Sequence, residues 1–162
     1  EDSGGVAIVP ALSGLGAPHW MPSARGLITG LSFSTGRAHI ARAALEAMSH
    51  QTYDLARAFE ADGAAWSSLR IDGGMSANDW MAQDISDLAG LTVERPDFVE
   101  TTALGAAILA GLGAGLFDTL QDAADAMCGA TKKFEPEMSA DVRSERLDRW
   151  NKAIAALNAA SD

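Results

Sequence analysis

The sequence predicts an α/β protein, on three observations. Short runs rich in β-branched and aliphatic residues alternate with stretches whose apolar residues fall three or four apart, Gly and Pro punctuate the junctions, and no apolar run is long enough to cross a membrane. Strand, helix, strand, helix, strand, helix is the order of an α/β architecture and not of an all-helical bundle.

Residues 6 to 12 (Val-Ala-Ile-Val-Pro-Ala-Leu) and 26 to 34, around Ile28, Leu31 and Phe33, read as extended segments. Gly14, Gly16, Pro18, Trp20 and Pro22 make the stretch between them a punctuated loop. From Thr35 the period changes. Ile40, Ala44, Ala47 or Met48, Gln51, Leu55 and Phe59 fall three or four apart, with Arg37, Arg42, Glu46, Asp54, Arg57 and Glu60 mostly elsewhere, and Asp62-Gly63 ends this amphipathic helix. Ser68 to Asp72 is a brief strand leading into Gly73-Gly74. Ser76 followed by Asp79 resembles a capping box, which predicts a helix from there to Ala89-Gly90. Leu91 to Arg95 is a strand closed by Pro96. Thr102 to Leu112 reads as a helix buried on most sides because it carries almost no charge, and Asp118 to Met127 as a shorter one. Lys132 to Met138 reads as an irregular connector and Ser139 to Ala160 as a final helix with charge on its outer side.

A chain of 162 residues, 48% hydrophobic and 21% charged, supports one ordinary core. A folded monomer of this size exposes about 7,600 Å². Twelve Lys and Arg against 22 Asp and Glu leave a net charge of −10, which repels phosphate backbones and anionic lipid, so neither nucleic acid nor a membrane is an expected partner. The single Cys128 allows no internal disulfide and fits a reducing, cytoplasmic compartment; the N-terminal stretch lacks the layout of a signal peptide. The chain begins at Glu1 rather than Met, which predicts a processed product or a piece of a longer protein.

The most informative junction is Asp72-Gly73-Gly74-Met75-Ser76-Ala77-Asn78. A strand delivers the chain to a tight turn, two glycines let a ligand approach the backbone, and a helix start offers unpaired N–H groups to an anion or nucleotide. Asn78, one turn into that helix, has a carboxamide suited to an adenine edge. By spacing alone the corner is first a tight turn and only second a ligand site, and it matches neither a Walker loop nor G-x-G-x-x-G. Gly111-Leu-Gly113-Ala-Gly115 ends a helix instead of opening one. His19, His39 and His50 have no metal-ligand spacing, and His39 and His50 read as packing or surface residues. Asp84 and Asp87 read as a solvated helix face rather than paired carboxylates, and Cys128 as an inert thiol.

Val9-Pro-Ala-Leu-Ser-Gly-Leu-Gly-Ala-Pro18-His-Trp20-Met-Pro22-Ser-Ala-Arg25-Gly26 resembles a stretch of the glycerol kinases within the FGGY carbohydrate kinase family. Gly26-Leu-Ile-Thr-Gly30-Leu31, seven residues, then His39-Ile40-Ala-Arg-Ala43-Ala44-Leu45-Glu46 fits that family's second signature at every fixed position. Asp72-Gly73-Gly74 with Asn78, Val93-Glu94-Arg95-Pro96, Thr102-Ala103-Leu104-Gly105-Ala106-Ala107, Phe134-Glu-Pro136 and Trp150 also have counterparts, so the similarity covers essentially the whole chain. Leu147 departs from it, standing where the family often has Tyr.

The resemblance implies part of the C-terminal lobe of the actin-like (ribonuclease H-like) ATPase fold of sugar kinases. Residues 1–130 would be an incomplete FGGY C-terminal domain and 131–162 a connector and helix packing on it. It implies an ATP-dependent phosphotransferase using ATP with Mg²⁺, in which Gly73 and Gly74 line the adenosine pocket and Asn78 hydrogen-bonds adenine. The aspartate base, the glycerol contacts, a phosphate-binding Gly-Thr-Gly hairpin and the Mg²⁺ ligands are all expected before Glu1, leaving no catalytic residue and no metal ligand within this chain. The chain alone is therefore expected to be inactive. Two strands of the lobe's sheet, lying between the Gly26 to Phe33 strand and the Ile71 strand, are also expected before Glu1. Their loss predicts open edges and self-association as a homo-oligomer, or pairing with another segment of the same enzyme. Alternatives are another FGGY sugar or polyol kinase, or a non-catalytic nucleotide-binding module.

Overall fold

Short strands bounded by Gly and Pro build two small sheets in the computed structural model, which describes residues 2–161. β1 (Ala7–Val9) pairs antiparallel with β2 (Leu27–Thr29), Ile8 opposite Ile28. β3 (Ser68–Arg70), β4 (Thr92–Pro96) and β5 (Thr131–Phe134) form the second sheet in that order. β3 runs parallel to β4, with the helical crossover that parallel pairing needs, and β5 antiparallel to it. Residues 131–134 are thus a strand and not the irregular connector expected. Its Lys132 and Lys133 hide the apolar alternation by which a strand is read, and they suit the sheet edge that β5 occupies.

The helices are α1 (Arg37–Ala61), α2 (Asp79–Ala89), α3 (Thr101–Gly113), α4 (Leu120–Met127) and α5 (Ala140–Ser161). One core gathers Val9, Ala11 and Leu15 against Trp150, Ala153 and Leu157 of α5. The other sets Met81, Ala82 and Ile85 of α2 on Val93 and Phe134.

Two helices bury a different face from the one their composition predicts. In α1 the expected stripe ends on exposed residues, Ile40 and Phe59, and while Ala47 is buried as read, its buried neighbours include Ala43, Glu46, His50 and Asp54. Charge goes inside there because each carboxylate finds a partner. Asp54 accepts hydrogen bonds from Trp150 Nε1 at 2.8 Å and His19 Nε2 at 2.7 Å, and Glu46 lies within the field of the Arg146 guanidinium. In α3 the expected burial on most sides is not observed: only Ile108 and Gly111 are buried, and Leu109 is 63% exposed. α3 packs chiefly on the short helix α4, too little surface to cover its apolar circumference.

Asp84 is likewise not on a solvated face. It is 3% exposed, and Arg146 of α5 grips it bidentately, Nη1 to Oδ1 at 2.5 Å and Nη2 to Oδ2 at 2.9 Å. Asp87 accepts from the backbone N–H groups of Glu137 and Met138, fixing the chain as it approaches α5. His50 stacks on Trp150 with centroids 5.0 Å apart and donates Nδ1–H to the Glu46 carbonyl at 2.7 Å. Burial, reinforced by the Arg146 charge, lowers the His50 pKa to about 4, while burial raises that of Glu46.

Removing one half of the Asp84–Arg146 pair strands a buried charge. Asp84→Ala or Arg146→Met is expected to cost about 3–5 kcal/mol in chemical denaturation, whereas Asp84→Leu with Arg146→Met recovers most of it. A double variant no more stable than the singles contradicts this. His50 gives a pH signature. Its folded pKa lies below the unfolded value, so its contribution is complete above pH 6.5 and is lost as pH falls toward about 4, by roughly 3 kcal/mol. Glu46, held up, acts in the opposite sense, so the comparison is with His50→Phe: that variant should gain on the wild type by this amount between pH 7 and pH 4. A difference that does not change with pH contradicts it.

Candidate functional site

The glycine corner is built where β3 hands the chain to α2. Ile71 N–H extends the parallel ladder to the Glu94 carbonyl at 2.9 Å, and the Asp72 carboxylate accepts from the Thr101 hydroxyl at the start of α3. Gly73 then takes φ 85°, ψ 167°, a conformation essentially reserved for glycine, and its N–H is held by the Val99 carbonyl at 2.9 Å. A single 3₁₀ turn, Gly74–Ala77, follows, closed by Ser76 Oγ donating to the Gly73 carbonyl at 2.7 Å. Gly74 has an ordinary φ, is exposed, and a Cβ built on it would meet nothing within 4 Å.

Two expectations change here. Ser76 does not cap the helix; Asn78 does, its Oδ1 accepting from Trp80 N–H at 3.0 Å and Met81 N–H at 3.3 Å. Asn78 therefore stands before α2 and not one turn into it, its carboxamide oxygen taking both orphan amides while the Ser76 hydroxyl is spent on Gly73. The helix start is also a poor anion site, since those two N–H groups are taken and Asp79 adds negative charge at the first helical position. An open glycine backbone beside an exposed carboxamide suits a neutral heterocycle better than a phosphate.

Gly73, Gly74 and Asn78 are thus brought together on one turn. A neighbouring cleft of about 420 Å³, lined by Asp72, Thr101 and Cys128 among others, includes none of the three. Sequence reasoning missed Arg95, which reaches from β4 beneath the turn: Nη1 donates to the Ser76 carbonyl at 2.7 Å and Nη2 meets Asp79 Oδ1 at 2.8 Å. Lys132 contacts the other Asp79 oxygen at 2.7 Å, and hydrogen bonds from Lys132 and Arg95 hold the Asp79 carboxyl below its usual pKa. Only its place in Val93-Glu94-Arg95-Pro96, one strand away from the corner, marked Arg95 in the sequence. His39 Nδ1 accepts from Gly36 N–H at the start of α1, His50 is a packing residue, and Cys128 is an exposed free thiol. Among the described residues no three His, Cys, Asp or Glu side chains converge to hold a metal ion.

Residues 1–114 match the C-terminal domain of the FGGY family of carbohydrate kinases. The chain belongs to that family. It is 53% identical over 94% of its length to a glycerol kinase of Gluconobacter oxydans, and 51% identical over 95% to one of Coxiella burnetii. A crystal structure of Plasmodium falciparum glycerol kinase with ADP superposes with a TM-score of 0.80 at 35% identity, covering 96% of this chain and 31% of that one. The chain spans 30% of the length of either bacterial relative. Its mixed α/β architecture is that of the C-terminal domain of sugar kinases of the actin-like ATPase fold.

The two glycines of this FGGY corner are expected to respond differently. Gly73→Ala forces a side chain into a glycine-only conformation and should cost about 1–3 kcal/mol in chemical denaturation. Gly74→Ala has open space and an ordinary backbone and should change stability by no more than about 0.5 kcal/mol. Equal losses at the two positions contradict the geometry.

Proposed function

We propose that this chain is the C-terminal nucleotide-binding part of an ATP-dependent glycerol kinase, which moves the ATP γ-phosphate onto glycerol to give glycerol 3-phosphate. The observation that carries the reading is identity above 50% to glycerol kinases over nearly the whole chain, its glycine corner included. Gly73 makes the turn, Gly74 presents bare backbone to the adenosine, and Asn78, its oxygen engaged in capping, offers its amide nitrogen to the base. Residues 1–130 supply most of the incomplete C-terminal domain, and the remainder adds its edge strand β5 and the helix α5 that packs on it.

Phosphoryl transfer is chiefly positioning and charge stabilisation, with nucleophile, γ-phosphate and metal in line. The residues described here hold the adenine end of that line. The base, the glycerol contacts and the groups around the phosphates and Mg²⁺ belong to the rest of the enzyme, and with no carboxylate cluster among the described residues no step through the metal is assigned to this chain. The surface supports an incomplete lobe. At 9526 Å² it is about a quarter larger than a folded monomer of this mass exposes. β1 and β3 each have a strand on one side only, and α3 leaves apolar residues such as Leu109 facing outward. In isolation the chain covers these features by self-association.

A coupled ADP-release assay tests the reading. The full-length protein is expected to release ADP from MgATP in a glycerol-dependent manner and the isolated 162-residue chain is not. Turnover by the chain alone, or full-length turnover that ignores glycerol, contradicts it.

A further inference from the structure

Arg95 is the best-buried cation near the glycine corner, and the nucleotide reading above gives it no task. Its side chain is 13% exposed, lies 5.3 Å from the centre of the Phe134 ring, and divides its fork between two elements. One nitrogen holds the carbonyl of Ser76, inside the 3₁₀ turn, and the other holds Asp79, the first residue of α2. Asn78 lies between those two anchor points, and Gly74 two residues before the first. Besides Arg95, the turn is held by the buried Ser76 and by the Val99 carbonyl on Gly73 N–H, neither of which ties it to α2. Its own bonds close it on Gly73, and its outer side, Gly74 to Met75, is exposed. A guanidinium fork sets two acceptors at a fixed separation and angle, which a single ammonium cannot do.

We propose that Arg95 is a positioning residue for the nucleotide. By pinning the Ser76 carbonyl and the Asp79 carboxylate together, it sets the angle between the turn and α2, and so the spacing between the Gly74 backbone and the Asn78 carboxamide across which the adenine lies. The proposal rests on the assignment of Gly74 and Asn78 as nucleotide contacts. Arg95 acts through the turn and does not itself touch the ligand. Lys132 is the internal comparison: it draws on the same Asp79 but takes no bond from the turn, and is half exposed.

The test uses the full-length kinase. Arg95→Met is expected to raise KM for MgATP about tenfold, the loss of one well-placed contact, while kcat and KM for glycerol change less than twofold. Arg95→Lys, which reaches one acceptor at a time, should fall between the two. Lys132→Gln should leave KM for MgATP within twofold. A purely structural Arg95 would instead lower the active fraction, and thus apparent kcat, with both KM values unmoved; that outcome overturns the proposal, as does an Arg95→Lys or Lys132→Gln enzyme with the same KM for MgATP as Arg95→Met. Should Arg95→Met not fold, Arg95→Lys against Lys132→Gln decides alone: a higher KM for MgATP in the former supports positioning, equal values overturn it. Hydrogen exchange on the wild-type enzyme separates the two levels. ADP that leaves the Gly73–Asn78 amides unprotected defeats the nucleotide reading itself. Protection there, with KM unmoved in the Arg95 variants, defeats only the positioning role.

Discussion

A carboxylate taken out of water must be paired or neutralised, and the fold of this chain is organised around meeting that demand three times in one place. Asp84 of α2 is gripped by Arg146, Glu46 of α1 is drawn to the charge of the same guanidinium, and Asp54, two turns on, collects Trp150 and His19. Together these contacts fasten α1, α2, α5 and the loop before β2 to one another. Replacing such a pair with apolar side chains is often harmless, so the stability they add is less informative than the register they impose. Trp150 can stack on His50 and reach Asp54 only with α5 at one height along α1.

That fixed register reaches the corner through α2. Asp84 and Asp87 anchor the middle of the helix to α5 and its approach, Asn78 caps its start, and Arg95 ties its first residue to the turn. Asn78 and Gly74 are thereby held on a short rigid segment between two anchored elements, the arrangement a recognition site needs. The division of labour within Gly73-Gly74 follows from the same geometry. Both glycines face open space, but only Gly73 is required by the backbone conformation.

Much of this was legible in the sequence, and the exceptions share a cause. The alternation of elements, the turn at Asp72-Gly73-Gly74 and the helix ended by Gly113 and Gly115 are local signals, and the structure has them where the residues indicate. Glu46, Asp54 and Asp84 read as solvent-facing because a charge in sequence carries no sign of its partner, and Arg146 and Trp150 lie far along the chain. β5 was hidden by two lysines whose role is to face outward at an edge. The choice of Asn78 over Ser76 as cap depended on what else the serine hydroxyl could reach, namely the Gly73 carbonyl. In α3, composition pointed to burial, and the chain itself supplies too little surface to bury it.

The most direct measurement is the position of ADP in a crystal of the full-length enzyme. The adenine is predicted to pack within about 4 Å of the Gly74 backbone, with the Asn78 amide about 3 Å from an edge nitrogen of the base. An adenine bound elsewhere, with the Gly73–Asn78 turn facing solvent, would contradict the assignment of this corner.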